Sequence, residues 1–370
     1  MNKTRFIIML IVGLLAGGMA RGEPPMEWHK DLQAIEEDGT SAWEGAHPFR
    51  MQGVLLNNPE EMLDSTWDSG AETENQMGAQ WQIFFQAVDP DDRGGTACWM
   101  GQNYTSLGPW IPAGNVYSEA EWSNEMQRVN FDGAHQFRRG DLIEVTARQS
   151  LFYGGKRNIN EAHRTSPDND FDIALIEAGH GLPDPEVITL ADLVTSGTDE
   201  IFDQTRQSGG EYYQAMRVRI ESIRLTTNYF GSSGWGQTHW ADRRCTVTDG
   251  EGRYFNLRMP LTDLGPPPEG WFTAVGILNQ ESGSGSDGTH GYELFVQEIG
   301  PELRVVSQGG KMLLYWSGTY TNYNLEYTTD LTGESGWERV TSPPEKWIAV
   351  EEDPAENGDP VRIYRLKQKQ

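Results

Sequence analysis

Cysteine is almost missing: Cys98 and Cys245 are the only two among 370 residues. Two residues so far apart exclude a disulfide framework, a thiolate zinc site and a C-x-x-C redox motif. In an oxidising compartment they would either form one bridge clamping two regions together or remain separate buried thiols, and spacing leaves both open. Histidine is sparse and scattered (His29, His47, His135, His163, His180, His239, His290), with no H-E-x-x-H or other ligand spacing. No G-x-S-x-G elbow marks a nucleophilic serine. Basic residues are few, 29 Lys plus Arg against 55 Asp plus Glu, for a formal charge of −26. That balance speaks against a nucleic-acid partner, which needs clustered cations to displace counterions. Arg217, Arg219 and Arg224 alternate with Val218, Ile220 and Ile223, as on a solvated strand face. No long stretch repeats apolar residues at helical spacing, so helices should be few and short.

Phe6 to Leu15 is the one substantial apolar run, and it follows Lys3 and Arg5 and precedes small residues ending Gly18-Met19-Ala20. This is the order of a secretory signal, placing residues 1–20 outside the mature fold. The run is short for a membrane span, so we expect no span after cleavage and a secreted, periplasmic or cell-surface protein. A retained anchor is the alternative. Loss of Lys3 and Arg5 takes the formal charge from −26 to −28.

Glycine is plentiful (42), and 19 Pro, 13 Trp and 13 Tyr suit short strands joined by many turns. The expected class is therefore all-β. Residues 21–46 read as a linker with one helical turn near Leu32 to Glu36. Strands are expected at Phe49 to Leu56, Trp81 to Val88 and Thr96 to Gln102, the last two joined by the turn at Asp89 to Gly95. Short helices are expected at Glu60 to Leu63, at Ser118 to Met126, where S-E-A-E resembles a capping box, and at Asp199 to Thr205. Gly140 to Gly181 is the densest polar stretch. There a strand, Leu142 to Phe152, enters a glycine-hinged loop carrying Lys156, Arg157, Asn158, Asn160, Glu161 and His163, and Phe171 to Glu177 closes the unit.

The second half repeats this order. Tyr213 to Leu225 is a long strand, Arg243 to Thr248 and Arg253 to Met259 flank the hairpin turn Asp249-Gly250-Glu251-Gly252, and Trp271 to Leu278 and Tyr292 to Ile299 close. Twice, a long strand, a hairpin and two closing strands resemble the OB-fold, a small Greek-key barrel. The resemblance spans about residues 47–182 and 211–300, within expected domains 47–194 and 211–300. A single large β-sandwich is the competing architecture. Residues 303–370 differ: Leu313-Leu314-Tyr315-Trp316, Tyr323 to Leu331, Trp337 and Ile363-Tyr364-Arg365-Leu366 resemble a small fibronectin-III-like β-sandwich, as found on exported proteins of Planctomycetes- and Verrucomicrobia-type bacteria.

The OB resemblance implies binding of oligosaccharides or oligonucleotides along the second and third strands and their loops. Candidate ligand residues are Trp99, Tyr104, Trp110 and Trp122 in the first half and Tyr229, Trp235, His239 and Trp240 in the second, with Lys156 and Arg157 as an anion-binding pair. The structural alternative is that these aromatics cap the barrel ends and that Lys156 and Arg157 brace the first barrel. Asp168, Asn169, Asp170 and Asp172 crowd one turn and Asp89, Asp91 and Asp92 another, so calcium is a candidate cofactor, although neither turn has EF-hand spacing and Asx-rich turns also form unaided. The sequence thus reads as a non-catalytic, exported binding or scaffolding protein with a glycan or protein partner. The alternatives are a secreted carbohydrate-active hydrolase using an acidic pair, or a calcium-stabilised surface protein.

Overall fold

The computed structural model describes residues 23–66, 79–102, 117–159, 171–226, 234–237, 242–308, 311–316, 320, 322–329, 332, 336–340, 348–352 and 362–368. The protein is all-β, with short α-helices at α1 (His29–Leu32), α2 (Glu119–Asn130) and α3 (Gly209–Tyr212) among the described residues. None of the described helices is long and apolar enough to cross a membrane.

In the first half, β1 (Phe49–Leu55) pairs antiparallel with β2 (Gln80–Gln86) on one side and with β4 (Leu142–Ala147) on the other. Strand β2 pairs with β3 (Gly95–Gly101). After Arg148 and Gln149 the chain continues as β5 (Ser150–Tyr153), turns, and returns as β6 (Lys156–Ile159), which lies parallel to β3. With β4 and β5 taken as one bent strand, the pairings close a ring. The turn itself is Gly154-Gly155, with φ of +68° and +92°. Two successive left-handed residues make the tight turn whose twist matches a hairpin, and glycine adopts them without steric cost. Lys156 to Ile159 is therefore strand, where the sequence suggests loop.

The second half closes a five-membered ring of β9 (Arg217–Leu225), β10 (Arg244–Thr248), β11 (Tyr254–Arg258), β13 (Tyr292–Pro301) and β12 (Phe272–Gln280), with β11 and β13 parallel. Strand β8 (Glu186–Ile188) adds to it, parallel to β9. The two rings share one strand order, and their difference lies in the last strand. Strand β13 pairs along all of β12. In the first half its place is taken by two pieces, β6 beside β5 and β7 (Phe171–Glu177) beside β4, with residues 160–170 between them. Lys156–Ile159 is thus the first part of the closing strand and Phe171–Glu177 the second.

Residues 304–368 form two three-stranded sheets. One holds β14 (Arg304–Gln308), β15 (Lys311–Trp316) and β18 (Ile348–Glu352). The other holds β16 (Tyr323–Thr328), β17 (Glu338–Arg339) and β19 (Ile363–Gln368). Leu314, Trp316, Tyr320 and Leu325 pack into the same core as Val218, Leu257 and Phe272 of the second ring.

Several boundaries move. Residues 23–46 are no free linker: Leu32 and His29 are buried, Met26 bridges Arg50, and Leu32 joins the core of the first ring. The helical turn falls at His29–Leu32, started by Asp92, whose carboxylate accepts from the backbone of His29 (2.9 Å) and Lys30 (3.0 Å). Residues 186–194 belong with the second ring, because Ile188, Leu190, Leu193 and Val194 sit in its core. Glu60 to Leu63 forms turns, and Asp199–Glu200 forms a strand pair with Val194–Ser196 where a helix was expected. Helix α2 does begin at a capping box of Ser118 and Glu121.

Candidate binding site

The tip of the Gly154-Gly155 hairpin lands on the second ring. Gly154 donates to the carbonyl of Ser284 (2.8 Å) and accepts from Ser282 (3.1 Å). Lys156 is 3 % exposed, and its ammonium donates to the carbonyl of Gln280 (2.6 Å) with Glu281 at 3.4 Å. Gln214 completes the joint, donating to Gly155 O (3.0 Å) and to Gln280 Oε1 (2.7 Å). Lys156 therefore braces one ring against the other, and its charge is committed inside the protein. Phe84, Ala97, Trp99, Ala215, Ile277 and Phe295 form an apolar seam alongside. Polar bonds flank it: Arg243, buried, donates to Met62 O (2.8 Å), and Gln297, half-buried, to Leu56 O (2.6 Å).

Beside the joint lies a sealed cluster that sequence reasoning missed. Glu211 on α3 is 0 % exposed, accepts from the Tyr292 hydroxyl (2.7 Å) and lies 3.5 Å from Arg206. Burial pushes its carboxyl up to about 7, against the pull of Arg206 and Tyr292. On the other side of Tyr292, Glu293 is clamped by Arg258 (3.0 Å) and Arg244 (2.9 Å). Glu211, Tyr292, Glu293 and Arg258 are all buried, while Arg244 reaches the surface.

Of the aromatic candidates, Trp99 and Trp122 are interior, 6 % and 2 % exposed. Trp99 packs in the seam, and Trp122 donates its indole hydrogen to Ser65 O (2.7 Å). They support the fold and present little ring surface to a ligand. An open hollow of about 420 Å³ runs along α2 from Glu119 to Phe131, with Trp122 in its lining. Tyr104, Trp110, Tyr229, His239 and Trp240 lie outside the described residues, as do Asp168 and Asp170. Asp172 is held by Arg128 (3.5 Å) and by Arg148, so its carboxylate is already matched by cations. No group of three metal-ligating side chains occurs among the described residues. At the other acidic turn, Asp89 accepts from the backbone of Asp91 (2.9 Å) and Asp92 caps α1, which accounts for both by local bonding. Cys98 and Cys245 are buried and not bridged to each other, each in the core of a different ring, so no disulfide clamps the two halves.

Trp235 stands apart. It is half-buried and lines a cleft of about 260 Å³ together with Gly236, Gln237 and residues 259–264. Its indole hydrogen is fixed on Gly265 O (2.6 Å), which orients the ring, and Leu264 packs on the core beside it. Asp263, Thr262 and Gln237 add polar groups to the wall. The cleft lies between the loop that joins β9 to β10 and the end of β11. The wall is concave and mixes apolar with polar surface in similar shares, so a ligand there would need both an apolar face and hydrogen-bonding groups.

A second cluster was invisible in the sequence because its members are far apart along the chain. His47 Nε2 lies 2.9 Å from Ser150 Oγ, and Arg157 reaches both Ser150 (3.2 Å) and Ser41 (2.7 Å). Trp43 covers the Arg157 guanidinium at 4.6 Å. Burial, with Arg157 beside it, holds the His47 imidazole below its usual range.

Comparison with protein-family models, with curated proteins and with solved structures returns no match to this chain.

Proposed function

We propose that this is an exported, non-catalytic binding protein: two OB-type barrels locked into one platform, followed by a fibronectin-III-type sandwich, with a ligand cleft at the rim of the second barrel. The observation that carries the proposal is the cleft walled by Trp235 and residues 259–264. In an OB barrel, the loop between the first two strands and the neighbouring second and third strands take oligomeric ligands. The Trp235 cleft adjoins that loop and the end of the third strand of the ring.

The ligand class argued for is a neutral saccharide segment or a small protein side chain. An indole offers a flat apolar face for a sugar ring, and Asp263, Thr262 and Gln237 offer hydrogen-bonding partners around it. A volume of about 260 Å³ suits one or two sugar units, being near the lower end of ligand pockets. The formal charge of −26 disfavours polyanions. Secretion to the periplasm or cell surface rests on the signal-like N-terminus.

A glycan array and polysaccharide pull-down with the full mature chain and Trp235→Ala test the proposal. Binding that W235A abolishes while leaving the melting temperature close to wild type supports it. Binding that W235A leaves intact removes the cleft from the account.

A further inference from the structure

We infer that Arg157, with Ser41, Ser150 and His47, forms a binding site for a single small oxyanion, a carboxylate or a sulfate. The site is separate from the Trp235 cleft. It is built where β5 and β6 pair, Phe152 opposite Arg157 and Ser150 opposite Ile159, and where residues 41–47 cross that hairpin.

The first argument is charge. Half-buried Arg157 has only neutral partners among the described residues: the hydroxyls of Ser41 and Ser150 and the face of Trp43. Burial lowers its pKa, and no carboxylate among the described residues offsets the effect. Two other enclosed guanidiniums in this acidic chain are matched, Arg258 by Glu293 and Arg206 by Glu211. A partly desolvated cation without a counter-charge is costly, and an anion restores the balance.

The second argument is the donors that remain. A guanidinium has five N–H groups in a fixed fork. In Arg157 one on Nη1 and one on Nη2 go to the serines, and Nε is buried with no partner. Nε is enclosed, which leaves the second hydrogen on each Nη, and two such N–H groups take a carboxylate or sulfate through parallel bonds. Both serine oxygens already accept from Arg157, so the Ser41 hydrogen is available to point elsewhere, while Ser150 also has His47 Nε2 at 2.9 Å. Ser41, Ser150, His47 and Arg157 are each only half-buried, so the cluster reaches solvent.

The third argument sets the size of the ligand. The chain's net charge of −26 repels polyanions at long range, so one isolated oxyanion is favoured over a charged polymer.

The test is thermal unfolding of the full mature chain at constant ionic strength, with chloride replaced stepwise by acetate in one series and sulfate in the other. The expected result is a saturable rise in melting temperature in at least one series. Acetate alone identifies a carboxylate site and sulfate alone a sulfate site. The general, non-saturating effect of sulfate persists in every variant, so the readout is the difference from R157Q. R157Q should abolish the saturable rise. Ser41→Ala combined with Ser150→Ala, which leaves the guanidinium in place, should weaken the apparent affinity by about tenfold, since two hydrogen-bonding groups are lost. Trp235→Ala should leave the rise unchanged, which separates this site from the glycan cleft. No saturable rise over chloride in either series, or an equal rise in R157Q, overturns the inference.

Discussion

Tyr292 donates its phenolic hydrogen to Glu211 over 2.7 Å, and neither side chain is more than 1 % exposed. The pair joins α3, ahead of the second ring, to the closing strand of that ring. Burial raises the Glu211 carboxyl from 4.5 to about 7 in the folded chain. The fold therefore prefers the protonated form. Its contribution is complete below about pH 4.5 and is lost as pH rises through about 7, by at most about 3 kcal/mol. Glu211→Gln mimics the protonated state. Urea unfolding at about pH 5 and about pH 8 should show wild type losing stability over that interval relative to E211Q. Parallel pH profiles for the two proteins would show that Glu211 is not the source.

Glu293 has the opposite sign. Complete burial would raise its carboxyl, but Arg258 and Arg244 hold it below its ordinary 4.5. That contribution is present above 4.5 and is lost as pH falls through the lowered value. Glu293→Gln leaves the 3 % exposed Arg258 without its anion. A loss of about 3–5 kcal/mol is expected at neutral pH, as for other buried pairs broken on one side. Denaturant melts of E293Q check it, and a loss under about 1 kcal/mol would contradict an essential clamp.

The thiols should be silent in the folded protein. Burial pushes Cys245 up to about 11, and Cys98 has no exposed surface. Alkylation of native protein with iodoacetamide at neutral pH should modify neither residue, and unfolding in urea should expose both. Non-reducing peptide mapping should find no Cys98–Cys245 bridge. Rapid native labelling of either thiol contradicts the burial.

The order of the long strands was legible in the sequence because half-buried strands alternate and their hairpins carry Gly and Asp, whereas short strands such as Glu186–Ile188 and Asp199–Glu200 were not. The turn at Asp249 to Gly252 and the alternation from Arg217 to Ile223 specify their elements by local chemistry alone. The split closing strand was not legible. Lys156-Arg157-Asn158 reads as polar loop because burial of Lys156 and Asn158 depends on a second ring that no local pattern announces. Trp99 and Trp122 could not be told from Trp235 for a related reason: indoles suit a core and a ligand wall equally, and only burial separates Trp122 from Trp235. His47, Ser150 and Arg157 are brought together purely by tertiary pairing.

That separation predicts two different phenotypes for one substitution. Trp122→Ala empties a buried site and removes the bond to Ser65 O, so it should cost about 3–5 kcal/mol. Trp235→Ala, at a half-buried cleft wall, should cost markedly less. Differential scanning calorimetry of the two variants under identical conditions distinguishes them, and equal losses would place Trp235 in the core with Trp122.

The hairpin tip gives the sharpest test of the platform. Gly155 has φ of +92°, and a Cβ there would meet the Gln280 side-chain carbon at 2.2 Å, across the joint between the rings. Gly133 has φ of +58° with nothing within 4 Å of the same position, so it isolates the backbone term. Gly133→Ala should cost about 1–2 kcal/mol, the ordinary penalty of a left-handed residue. Gly155→Ala adds overpacking of about 1–3 kcal/mol and displaces Gln280, the residue that Gln214 and Lys156 both grasp. If the two rings are held together at this point, G155A should melt below G133A, and limited proteolysis should cut it faster between residues 178 and 185, where the chain passes from one ring to the other. If G155A and G133A lose equal stability and are cleaved at equal rates, the hairpin contact is dispensable, and the apolar seam of Phe84, Ile277 and Phe295 holds the rings together without it.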